Sequence, residues 1–170
     1  MNSLIRRKEI ISHIAKIPRP IKGVELANIF GVTRQVIVKD IAIIRAAGVN
    51  IIATPEGYMI TKEESRYKKV LALSHKEEEM VSELEIVIKF GGIIEDVIIE
   101  HPIYGEIKAN LMIRNLNDLD NFIDLYKKNK AKPLSALTEG IHLHTISTDN
   151  EQDMQLIIEN LEKAGYILKD

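Results

Sequence analysis

Gly31-Val32-Thr33 constrains the fold of this chain more than any other three residues. They separate two helical patterns so closely that the helices must pack against each other. Before them, Lys22 to Phe30 carries Leu26, Ala27 and Phe30 on one face, and Gly31 stands where a tight turn needs a left-handed residue. After them, Thr33 is placed to cap a helix over Arg34 to Ala47, in which Ile37, Ile41 and Ile44 recur at i, i+4 and i+7. Gly48 stops that helix. An earlier pattern, Leu4 to Ala15, places Ile10, Ile11 and Ile14 among basic residues and ends before Pro18 and Pro20. Downstream, Ile51-Ile52-Ala53-Thr54 and Tyr58-Met59-Ile60 flank Pro55-Glu56-Gly57 and read as a hairpin. Three short helices and a hairpin make a winged helix-turn-helix over residues 1–61.

In that arrangement the third helix enters the DNA major groove and its N-terminal residues meet base edges. Those residues are Thr33, Arg34 and Gln35, with Val38 and Lys39 one turn on. Arg pairs bidentately with guanine and Gln with adenine. A three-helix bundle with a hairpin and no DNA role would share the pattern. The charge distribution favours DNA: residues 1–61 hold 9 Lys/Arg against 4 Asp/Glu, while residues 62–170 hold 14 against 21.

The chain has no cysteine, which excludes disulfides and thiolate metal sites. No apolar run approaches the roughly 18 residues needed to cross a bilayer, and no export signal opens the chain, so the cytoplasm is the expected compartment. Lys62-Glu63-Glu64-Ser65 carries no apolar pattern and reads as a boundary. From residue 66 to 170, strand and helix patterns alternate: Tyr67–Leu73 strand, Lys76–Phe90 helix, Ile93–His101 and Ile103–Ile113 strands, Asn117–Lys128 helix, Ile141–Ser147 strand, Glu151–Ala164 helix, with Tyr166-Ile167-Leu168 as a further edge strand. The order βαββαβα implies an α+β, two-layer domain with a mostly antiparallel sheet and helices on one face.

Five histidines occur, and all but His13 fall in this second region at strands or strand ends. His142 and His144 are two apart in a strand, so both imidazoles project from one face, either as half of a metal site or as two sheet-surface histidines. His75 sits where the first strand gives way to the helix. In that helix Glu83 lies beside the stripe formed by Met80, Leu84, Val87 and Ile88, where an unpaired carboxylate is costly. Glu79 is the rival on the same side, and Lys76 or a metal is the obvious cationic partner. Three imidazoles and a carboxylate suit a divalent transition metal such as zinc, nickel or iron. His101-Pro102-Ile103-Tyr104-Gly105 differs in kind: Pro102 fixes an extended approach and Gly105 permits a close turn, so His101 could be a ligand-pocket donor, a fourth imidazole or a support behind the ligands, and with Tyr104 it is a candidate for the pocket wall if a ligand binds.

Gly31-Val32-Thr33-Arg34-Gln35, Ala72-Leu73-Ser74-His75-Lys76, His101-Pro102-Ile103-Tyr104-Gly105 and His142-Leu143-His144-Thr145-Ile146, in that order over nearly the whole length, resemble the niacin-responsive transcriptional repressors. Those proteins join a winged helix-turn-helix to a three-histidine (3H) domain. The resemblance implies a repressor of genes for NAD synthesis or niacin uptake with nicotinic acid as corepressor. It also implies a divalent metal at His75, Glu83, His142 and His144, a homodimer on palindromic operator DNA, and an HPr-like topology for the second domain. Two other readings start from the same residues. One is a metal-dependent hydrolase fused to a DNA-binding module, although no separate general base or phosphate-cradling loop is visible. The other is a regulator for which the metal itself is the signal.

Overall fold

The computed structural model describes residues 2–61 and 65–169. The chain divides into two compact units, Met1–Glu63 and Glu64–Asp170. Of the expected boundary segment Lys62–Ser65, the first three residues lie outside the described ones.

The first unit contains helices α1 (Ser3–Lys16), α2 (Gly23–Phe30) and α3 (Arg34–Ala46), followed by strands β1 (Ile51–Thr54) and β2 (Gly57–Ile60). Ile10, Ile14, Leu26, Ala27, Ile37, Ile41 and Ile44 bury their side chains together with Ile21 and Ile51. The helical stripes are thus consumed by mutual burial, which leaves the other face of α3 to solvent. Gly31 adopts φ +63° and stops α2, and Thr33 caps α3 by accepting from the Val36 amide at 3.4 Å. β1 and β2 pair antiparallel across a two-residue turn. Ile21 adds a third rung by exchanging two 2.9 Å backbone hydrogen bonds with Tyr58. Gly57 is required there, since a Cβ would stand 2.3 Å from the Ile21 carbonyl oxygen.

The second unit runs β3 (Tyr67–Ser74), α4 (Met80–Lys89), β4 (Ile93–His101), β5 (Gly105–Ile113), α5 (Leu116–Lys128), β6 (Ile141–Thr148) and α6 (Glu151–Lys163). The strand order is β3-β6-β4-β5 and every pairing is antiparallel. The last strand therefore inserts between the first and second, as the HPr-like expectation requires. Leu84 and Val87 of α4, Leu119 of α5 and Met154, Ile157 and Leu161 of α6 pack on one sheet face against Leu71, Leu73, Ile94, Leu111, Ile113 and Ile146. Asn115 and Asn150 cap α5 and α6 through amides three residues on, each at 2.9 Å.

Most boundaries fall within a residue or so of the sequence expectation, and the larger differences have local causes. The helix expected from Lys76 opens as a 3-10 turn over Glu77–Glu79, because Glu79 folds back to accept from the Lys76 amide at 3.0 Å. The strand expected from Ile103 begins at Gly105, since Pro102 to Tyr104 form the turn. A 3-10 turn over Leu134–Thr138 precedes β6 and has no signature in the periodicity. Tyr166–Leu168 joins the free edge of β3 as a single bridge between Ile167 and Leu73, supported by Ser74 N to Tyr166 O (2.8 Å) and Leu168 N to Ala72 O (3.0 Å).

Candidate metal centre and DNA-reading helix

The β3–β6 register sets His142 beside Leu73 and His144 beside Leu71, on the sheet face that the helices cover. His75 follows the last residue of β3, and Glu83 faces it from the first turn of α4. Four side chains from three elements converge as a result. Glu83 is 1% exposed, and its Oε2 lies 2.6 Å from His75 Nε2 and 3.4 Å from His142 Nε2. Its Oε1 lies 3.1 Å from His144 Nε2 yet has no hydrogen-bond partner. The rings stand nearly perpendicular, His75 to His142 at 83° and His142 to His144 at 78°.

Each imidazole is fixed by its other nitrogen. His75 Nδ1 donates to the Lys76 carbonyl (2.8 Å), His142 Nδ1 to the Gly140 carbonyl (2.9 Å), and His144 Nδ1 to the Asp96 carbonyl. A carbonyl can only accept, so each Nδ1 carries a proton and each Nε2 faces inward, where a neutral ring offers a lone pair and a protonated one donates to Glu83. Backbone carbonyls orienting histidine in this way are the usual outer support of a metal site. With all three rings neutral the interior would hold only acceptors, three nitrogens and a carboxylate, so a metal ion or protons on Nε2 must supply positive charge there. One ligand atom each from His75, Glu83 and His142 lie within 4.8 Å of one another, close enough for one ion to bridge, and His144 adjoins this group through Glu83 Oε1. The donor set fits a divalent transition ion.

Without metal, protons must supply the positive charge. Burial pushes the Glu83 carboxyl up, but the charge of His144 and the imidazole nitrogens around it outweigh burial and hold it well below the ordinary carboxylate range. For His75 and His144, burial pulls downward, and the contact with Glu83 overcomes it, so both are raised above the ordinary histidine value.

Three supports of this centre were not singled out from the sequence. Gly140 adopts φ +96°, and a Cβ there would stand 2.6 Å from the His75 carbonyl oxygen. The turn therefore locks His142 and His75 to each other. Tyr166 closes on His75 edge-on, with ring centroids 5.3 Å apart. Asp96, 2% exposed in a strand otherwise apolar at its buried positions, is the one with a readable signal: a lone buried-phase carboxylate. Glu79, the rival to Glu83, is half-buried and serves as the cap described above.

His101 and Tyr104 lie at the β4–β5 turn, which leaves the sheet at the end where β6 begins. Their rings meet tilted at 32° with centroids 5.0 Å apart, and Tyr104 is 74% exposed. His101 Nδ1 accepts from the Ile103 amide (3.2 Å) and the Tyr104 amide (3.4 Å), so its proton sits on Nε2, opposite to the other three. None of the described contacts joins this pair to the Glu83 cluster.

On α3, Arg34, Gln35 and Lys39 are exposed, Thr33 is exposed at the cap, and Val38 is half-buried. Gly23 leaves room for Arg34, whose Cγ would lie 3.7 Å from a Cβ at that position. Asp40, buried on the inner side of α3, binds Arg6 Nε at 2.6 Å and an Arg7 nitrogen at 3.3 Å. One carboxylate thus engages two of the first unit's arginines and offsets one of their two charges.

Residues 6–59 match the HTH domain family and residues 68–170 match the 3H domain family. The chain belongs to the helix-turn-helix repressors that carry a 3H domain. It is 39% identical over 165 residues to the probable transcription repressor NiaR of Thermotoga maritima, covering 97% of this chain and 94% of that one. It is 34% identical over 169 residues to the transcription repressor NadR of Bacillus subtilis, with the same coverage of both. These relatives are named as repressors, not enzymes, so the hydrolase alternative falls away. Among the described residues, no helix is long and apolar enough to cross a membrane.

Proposed function

We propose that this 3H-domain protein is a cytoplasmic repressor of genes for NAD synthesis or niacin uptake, with nicotinic acid as its corepressor. A divalent transition ion (zinc, nickel or iron) would be held by His75, Glu83, His142 and His144. The observation that carries this reading is the inward-facing set of ligand atoms: three imidazoles, each held by a carbonyl at Nδ1, turn Nε2 toward one buried carboxylate. Such an ion supplies positive charge and a coordination position for an anionic or pyridine-type ligand. The chain's own groups do the rest. His101 presents Nε2–H, a donor suited to a carboxylate, and Tyr104 offers an exposed ring at the same end of the sheet.

Repression follows if the ligand binds one arrangement of a homodimer better than another. The preferred arrangement must set two α3 helices about 34 Å apart for successive major grooves of a palindromic operator. Thr33, Arg34, Gln35, Val38 and Lys39 are the residues we assign to DNA. The test is operator binding by metal-analysed protein at fixed salt, with and without nicotinic acid. A gain in affinity that needs both metal and nicotinic acid supports the reading. Metal-bound protein that ignores nicotinic acid and responds to metal alone overturns it in favour of a metal sensor.

A further inference from the structure

β4 and β6 fall out of step next to the metal centre, and Asp96 sits at the defect. Between the pairs Ile94–Ile146 and Ile98–Leu143, β4 advances four residues while β6 advances three, so β4 carries a bulge. β5 bulges in turn against β4, since Ile94 pairs with Ile113 and Asp96 with Asn110, and Met112 takes φ +51° there. Within the bulge, Asp96 uses its main chain and its side chain for different ends. Its carbonyl accepts from His144 Nδ1, and its Oδ1 accepts from the Thr145 amide at 2.8 Å. That amide points across to β4, where a backbone carbonyl would receive it in a regular ladder. Oδ2 is held by Lys108 Nζ at 3.1 Å from β5.

We propose that Asp96 is a positioning residue for the metal centre. Its carboxylate substitutes for a ladder acceptor, and this keeps its own carbonyl free to hold His144 with Nε2 facing Glu83. The inference rests on the metal reading above. Without the carboxylate, the Thr145 amide must find another acceptor. The nearest supply is the β4 main chain, so closing the ladder takes the carbonyl away from His144. Lys108 is half exposed and anchors the carboxylate from outside, so its loss should matter less.

The experiment uses the full-length protein and zinc, nickel or cobalt alone as probe. Wild type must first bind metal; if it does not, the metal reading itself fails and Asp96 is not at issue. Given wild-type binding, Asp96→Ala should weaken it by about 10- to 100-fold, while Asp96→Asn, which keeps an acceptor for Thr145, stays within about threefold of wild type. Ring 15N–1H correlations of the zinc-loaded wild type add a readout that does not depend on any variant folding. They should show His144 protonated on Nδ1 and bound through Nε2. A His144 bound through Nδ1, or an Asp96→Ala variant with wild-type affinity and an unchanged His144 spectrum, would overturn the proposal.

Discussion

Replacing Gly140 with alanine tests how the centre is built, because two separable penalties meet at that one residue. The first is conformational: φ +96° lies beyond the left-handed well open to residues with a Cβ, at about 1–3 kcal/mol. The second is steric: the new Cβ would sit 2.6 Å from the His75 carbonyl oxygen, so the Gly140 turn or the His75 segment must move. The two together should cost roughly 3 kcal/mol, lowering the Tm of the 3H unit by about 10–20 °C. Movement also disturbs the Gly140 carbonyl that orients His142, so metal affinity should fall by about 10- to 100-fold. Gly105→Ala is the matched control, with φ +70° and nothing within 4 Å of the added atom, so only about 1–2 kcal/mol of backbone strain is expected there. Thermal unfolding of chelator-treated protein and metal titration by calorimetry give the two numbers. Equal effects of the two substitutions on both would refute the argument that the Gly140–His75 approach organises the centre.

Glu83→Gln should leave a folded protein, because the amide can donate to an inward Nε2, but metal affinity should drop by more than about 100-fold; near-normal affinity would remove Glu83 from the ligand set. The pH dependence should reverse with metal. In chelated protein the lowered Glu83 contributes stability above its ordinary 4.5, lost as pH falls through its folded value. The raised His75 and His144 contribute below 6.5, lost as pH climbs through theirs. The chelated Tm should therefore peak between those values, whereas the zinc-loaded Tm should keep rising with pH as protons stop competing for the nitrogens; parallel curves would contradict the assignment. Arg34→Ala should weaken operator binding by about 1–3 kcal/mol and relax one base position, and Lys39→Ala should reduce the salt slope by about one if it meets a phosphate. Unchanged specificity in the first would take Arg34 out of base reading.

The sequence by itself determined the main helices and strands and named the side chains that the structure brings together. Among the described residues periodicity located the six α-helices and six strands to within a few residues, since amphipathic stripes and strand alternation are local consequences of which face is buried, though it did not locate the 3-10 turn over Leu134–Thr138. It placed Thr33 at its cap and His142 with His144 on one strand face, and it left Glu83 and Glu79 as rivals beside the stripe of α4, of which the structure buries Glu83. Boundaries slipped where a side chain or proline overrode propensity, as at Glu79 and Pro102. Tertiary structure alone decided which lone pairs point inward. That depends on the carbonyls of Lys76, Gly140 and Asp96, which carry no side-chain signature and reach the imidazoles only through the β3–β6 register, the Gly140 turn and the β4 bulge. The same holds for Asp40, whose role is set by two arginines 33 and 34 residues away in sequence. Hydrogen bonds between distant segments follow from how the strands are threaded, and periodicity along one segment has no means of encoding its neighbour's register.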